Sequence, residues 1–115
     1  MSNDARDGVV VRVWHGWTAP GDADAYEQFL TDADEGLLET LAGEGYLGYD
    51  LLRRDRGDEV EFVTQLRFRD YDAVAEFAGE EYGTAHVPDR ARELLVRWED
   101  EATHYERRGA GRGVE

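Results

Sequence analysis

Cysteine is absent from this chain, and so is lysine. Without a thiol there can be no disulfide, thiolate nucleophile, iron–sulfur cluster or cysteine-ligated zinc. All 13 basic residues are arginine, against 27 aspartates and glutamates, and the net charge is −14. A surface this acidic repels phosphate backbones, which argues against DNA or RNA as a partner. Acidity without lysine suits a cytoplasm of high salt, where the Debye length falls to about 3 Å at 1 M. Codon bias in a GC-rich genome also trades lysine for arginine, so the two causes stay open together. Long apolar runs are missing too: none approaches the ~20 residues that cross a bilayer. Met1-Ser2-Asn3-Asp4 has neither the basic region nor the apolar stretch of a signal peptide. A cytoplasmic location with no membrane partner is therefore expected.

What is present reads as one globular domain. The chain has 115 residues, 41% of them hydrophobic, which is enough for a single core. Residues 1–8 are expected to fray, 9–106 to form the domain, and 107–115 to be a flexible tail. The tail Arg107-Arg108-Gly109-Ala110-Gly111-Arg112-Gly113 resembles RGG segments only faintly and reads as a frayed end. Val9–Trp17 is β-branched and aromatic, a first strand. Thr18-Ala19-Pro20-Gly21-Asp22 is turn chemistry, with Thr18 or Asp22 as the helix cap. Tyr26, Phe29, Leu30, Ala33 and Leu37 then recur at helical spacing. Tyr46–Arg54 is strand two, Asp55-Arg56-Gly57-Asp58 a hairpin turn, and Val60 to Phe68 an alternating strand three. Asp70 or Asp72 caps a second helix that Gly79 ends. Pro88 opens a short third helix, and Trp98–Glu106 is strand four. The order is βαββαβ, an α+β ferredoxin-like frame. Gly43-Glu44-Gly45-Tyr46-Leu47-Gly48 matches G-x-G-x-x-G, but it enters a strand from a helix, the reverse of a dinucleotide site.

Two helices cover only one face of a four-stranded sheet. Strand one nevertheless carries Val9, Val11, Val13 and Trp17 on one face and Val10 and Trp14 on the other. Such two-sided apolarity predicts a second copy of the chain against the uncovered face. Val13, His15 and Trp17 are expected on the helix-covered side together with Phe62 and Leu66, and Val10 and Trp14 at the homodimer interface.

The frame, the strand Arg12-x-Trp14-His15-Gly16, Tyr26, the run Phe77-Ala78-Gly79 followed by Tyr82, and the closing His104-Tyr105-Glu106 resemble the antibiotic biosynthesis monooxygenase-like family. The resemblance spans Val9 to Glu106. It implies a dimeric α/β barrel, in which two four-stranded sheets face each other with the helices outside. It further implies an oxidoreductase that acts on a small aromatic or quinol-type molecule with dioxygen and needs no cofactor, neither metal nor flavin. His15 is the candidate base, since an imidazole with an ordinary pKa of about 6.5 suits taking a phenol proton. His104 is its candidate partner in catalysis. Trp17, Tyr49, Phe62, Leu66, Tyr82 and Trp98 are the candidate substrate-binding residues. The alternative is a non-catalytic dimeric ligand-binding or stress-related protein of the same fold, with structural histidines. His104 and Glu106 share a strand face without a third ligand, so no metal site is expected. Heme-degrading relatives use an asparagine on strand one, a tryptophan at the end of strand three and a histidine near the position of His86. Strand one here lacks asparagine and strand three ends in Phe68. His86 therefore reads as a surface loop residue.

Overall fold

The computed structural model describes residues 8–113, so all but Gly8 of the expected frayed segment lies outside the described residues. The strands are β1 (Val10–Thr18), β2 (Tyr46–Asp55), β3 (Val60–Phe68), β4 (Leu95–Trp98) and β5 (Thr103–Glu106). The helices are α1 (Ala23–Thr31), α2 (Tyr71–Ala78) and α3 (Asp89–Leu94), with a 3-10 turn at Pro20–Asp22 leading into α1. The sheet is antiparallel, with β1 at its centre. One edge of β1 pairs with β3, which pairs in turn with β2, and the other edge is shared by β4 and β5. This is the α+β ferredoxin-like frame expected from the sequence.

The register decides which residues face the helices. Val10 opposes Phe68, Arg12 opposes Leu66, Trp14 opposes Thr64 and Gly16 opposes Phe62. Directly opposed residues share a face. On this face Val10, Phe62 and Phe68 are at most 1% exposed. It is the face under the helices, where Ala23, Tyr26 and Leu30 of α1 and Ala73 and Val74 of α2 are buried. The expected assignment of faces is thus reversed. Phe62 and Leu66 lie with Val10 and Trp14, inside the domain. Val11, Val13, His15 and Trp17 lie on the opposite, uncovered face with Arg67, Gln65, Val63 and Glu61.

Two element boundaries also differ. The last strand is broken: β4 ends at Trp98 and β5 begins at Thr103. Between them, Ala102 donates to the Gly83 carbonyl at 2.8 Å and Ala85 donates to the Asp100 carbonyl at 2.9 Å. Asp100 and Glu101 therefore pair with the loop after α2, while Glu99 stays bonded to His15 of β1 through its amide and its carboxylate. Helix α1 stops at Thr31, because the Asp32 carboxylate accepts from the amides of Asp34 and Glu35. The amides of Leu37 and Leu38 donate hydrogen bonds back to the carbonyls of Phe29 and Leu30. Helix α2 is capped by Asp70, whose carboxylate accepts from Ala73 N at 2.8 Å, and it ends at Gly79 with φ 89°. A cap of this kind is worth about 1 kcal/mol. Residues 107–113 have no regular structure, although Arg107 N still bonds to the Val9 carbonyl. No helix among the described residues is long and apolar enough to cross a membrane.

Candidate functional site

A cavity of about 450 Å³ opens between the covered sheet face and the helices. Its apolar wall is Tyr26 and Leu30 from α1, Leu37, Leu38 and Leu41 from the turn that follows, and Leu66 and Phe77. Trp14 and Arg12 rise from the floor, and the stretch Thr84 to Pro88 with Ala91 forms the outer rim. In a chain with 27 acidic residues, no carboxylate among the described residues lines it. The indole N–H of Trp14 is occupied, donating to the Glu99 carbonyl at 2.7 Å, so the ring offers the cavity only its apolar surface. Burial pushes the Tyr26 phenol far above its ordinary range, which keeps it neutral.

Arg12 is half-buried. Its Nη1 donates to the Tyr82 carbonyl and lies 3.1 Å from His104 Nε2. A guanidinium only donates, so His104 Nε2 is the acceptor and its proton sits on Nδ1. Partial burial, and secondarily the Arg12 charge, hold the His104 pKa below its ordinary value. The ring also packs edge-on against Tyr82, centroids 5.0 Å apart. His104 thus orients Arg12 from the neighbouring strand, on the same sheet face.

A pH dependence follows from this arrangement. With a lowered folded pKa, the unfolded chain takes up the His104 proton first as pH falls below about 6.5. The His104 contribution is complete above that value and is lost as pH falls toward the folded pKa. Denaturant midpoints measured from pH 7.5 to 5.5 should fall more steeply for the native chain than for His104→Gln. Identical slopes would remove His104 from the account.

The other residues singled out from sequence are dispersed. His15 is on the uncovered face, where Nδ1 lies 2.9 Å from Glu61 Oε2 and the ring stacks on Trp17. Trp17 lies beneath the Arg97 guanidinium, 3.8 Å from the ring centroid, and Arg97 is held by Glu59. Leu66 lines the cavity. Phe62 is on the same face but sealed in the core against Tyr26, and Trp98 packs against that core beside Gly16. The Tyr49 hydroxyl donates to Glu39, and Tyr82 reaches the site through its carbonyl. His104 and Glu106 share a face of β5, with no third metal ligand gathered there among the described residues. Arg12, Trp14, Leu37, Leu38, Leu41 and His86 were not singled out for the site. His86 is exposed, as expected of a loop, yet it also stands on the cavity rim.

No family model matches the chain, and no curated protein matches it. Solved structures do. A Bacillus cereus protein provisionally described as an antibiotic biosynthesis monooxygenase superposes with a TM-score of 0.66 at 15% identity, over 93% of this chain and 98% of its own. A conserved protein from Methanosarcina mazei Go1 gives 0.60 at 15% identity, over 89% and 95% of the two chains. A Pseudomonas aeruginosa protein gives 0.53 at 21%, over 89% and 96%. Identities this low carry the fold and not the chemistry. The chain has the ferredoxin-like α+β fold seen in the antibiotic biosynthesis monooxygenase-like proteins.

Proposed function

We propose that the chain binds a small planar phenol or quinol in this cavity and oxidises it with dioxygen. The observation that carries the reading is the cavity itself, apolar and carboxylate-free within an acidic chain, with one imidazole on its rim. The apolar wall holds the ring and excludes water. His86 is the base that takes the hydroxyl proton, and the electron-rich phenolate then reacts with dioxygen. For a ring methylene the balance is R₂CH₂ + O₂ → R₂C=O + H₂O. The Bacillus cereus protein of the same fold is described as a monooxygenase, which agrees with this chemistry. Oxygen uptake by the purified protein with anthrones and quinols tests it. His86→Ala should lower the rate by about 10²–10⁴-fold. His15→Ala should leave it nearly unchanged, since His15 faces away from the cavity. Full activity in His86→Ala would reject His86 as the base. A second reading, binding without turnover, is favoured by one observation: His15, the histidine best placed by sequence, does not reach the cavity. Tight ligand binding with no oxygen uptake would establish that reading.

The proposal extends to assembly. The uncovered face carries Val11, Val13 and Val63, with Leu52 47% and Tyr105 56% exposed. A second copy covering this face would bury them, while Glu61, Gln65 and Arg67 on the same face would make polar contacts across the interface. Sedimentation should give a dimer, and Val13→Asp should yield a folded monomer. A native chain that sediments as a monomer at micromolar concentration would refute this.

A further inference from the structure

We infer that the ligand of this cavity carries an acidic oxyanion, a carboxylate by preference, and that Arg12 is its anchor. The inference rests on reading the cavity as the ligand site and adds the class of ligand: a planar aromatic acid.

Six arginines among the described residues, Arg53, Arg56, Arg67, Arg69, Arg90 and Arg97, stand within 4 Å of a carboxylate. Arg12 does not, and unlike Arg54, Arg92, Arg108 and Arg112, which are exposed, it is half-buried, in a chain whose acidic side chains outnumber the basic ones two to one. Its contacts are two neutral acceptors, the Tyr82 carbonyl and His104 Nε2, and both are made through Nη1. The donors on Nε and Nη2 have no partner among the described residues. A partly desolvated cation without a counter-ion is costly, and a low-dielectric wall strengthens whatever charge meets it. Leucines and aromatic rings wall the cavity that Arg12 lines. A guanidinium fork beside an apolar slot is complementary to a carboxylate on a flat hydrocarbon body. His104, as the neutral acceptor, positions the fork without competing for the anion.

The test uses the whole chain and two matched probes. The neutral dye N-phenyl-1-naphthylamine reports occupancy by fluorescence. 2-Naphthoate and 2-naphthamide, alike in shape and different in charge, compete for it. Naphthoate should displace the dye at about tenfold lower concentration or better, since a hydrogen bond to a charged group is stronger than one between neutral groups. Arg12→Met should remove that preference, so that the two competitors displace the dye at equal concentrations, and a retained preference would overturn Arg12 as the anchor. If Arg12→Met does not fold, the comparison of the two competitors on the native chain decides alone. Equal displacement by both competitors overturns the anion inference and leaves the cavity reading standing. Ala78→Trp, which places an indole in the cavity, should abolish dye binding. Unchanged dye binding in that variant would overturn the cavity reading, and the inference with it.

Discussion

Replacing Phe62 by alanine is expected to lower stability by about 3–5 kcal/mol, a large share of the ~5–15 kcal/mol that a domain of this size possesses. Phe62 is 1% exposed. Its ring meets Tyr26 at 4.9 Å in an edge-to-face pair, with the Arg53 guanidinium 5.6 Å from its centroid. Removing the ring leaves a void that the sheet on one side and α1 on the other cannot close. The melting temperature should fall by roughly 10–20 °C. Val96→Ala is the matched control: Val96 is 54% exposed, and its truncation should change stability by less than about 0.5 kcal/mol. Denaturant titration of both variants checks the pair. A Phe62→Ala midpoint close to the native one would show that the core is not centred on this contact.

Gly36→Ala should be nearly as damaging, for a different reason. A β-carbon there would stand 2.5 Å from Asp32 N, 2.6 Å from Asp32 O and 2.7 Å from Leu30 O. All three are backbone atoms, which cannot swing aside as a side chain can. The turn must open, at a cost of about 1–3 kcal/mol or more. Since Gly36 lets the chain fold back so that Leu37 and Leu38 bond to Phe29 and Leu30, the leucine wall of the cavity moves with it. The variant should therefore lose dye binding as well as stability. Gly21→Ala, with open space around the new carbon, should lose neither. Native-like dye affinity in Gly36→Ala would mean that the wall does not depend on this turn.

The order of elements was legible in the sequence because its signals are local. The alternation of Val60, Phe62, Leu66 and Phe68, the Asp70 cap and the turn at Gly57 each need only neighbouring residues to be read. The faces of β1 were not legible, because valines and tryptophans occupy both of them. Only the pairing of Val10 with Phe68 across the sheet decides which side is covered, and no local pattern encodes that register. The misplacement of His15 follows from this alone. The break between β4 and β5 is set by a loop fifteen or more residues upstream, so the strand signal seemed to run on. Arg12 and Trp14 did bear a signal, an arginine and an indole alternating with valines, but their meaning needed the face. His86 lies in a stretch without periodicity, and nothing short of the folded chain brings it to the cavity.

The pairing of the Gly83–Ala85 loop with the Asp100–Ala102 segment bears on how the cavity fills. The outer rim is clasped to the segment between β4 and β5 by an isolated bridge between Thr84 and Glu101 and by the hydrogen bonds that the Ala85 and Ala102 amides donate. Releasing such a clasp is a local event that leaves β1 to β3 intact, and it costs far less than global unfolding. A molecule too large for the mouth at rest can enter while the clasp is undone and be enclosed when it re-forms. Ligand entry would then be timed by the backbone of the rim, through a latch that the segment between β4 and β5 supplies.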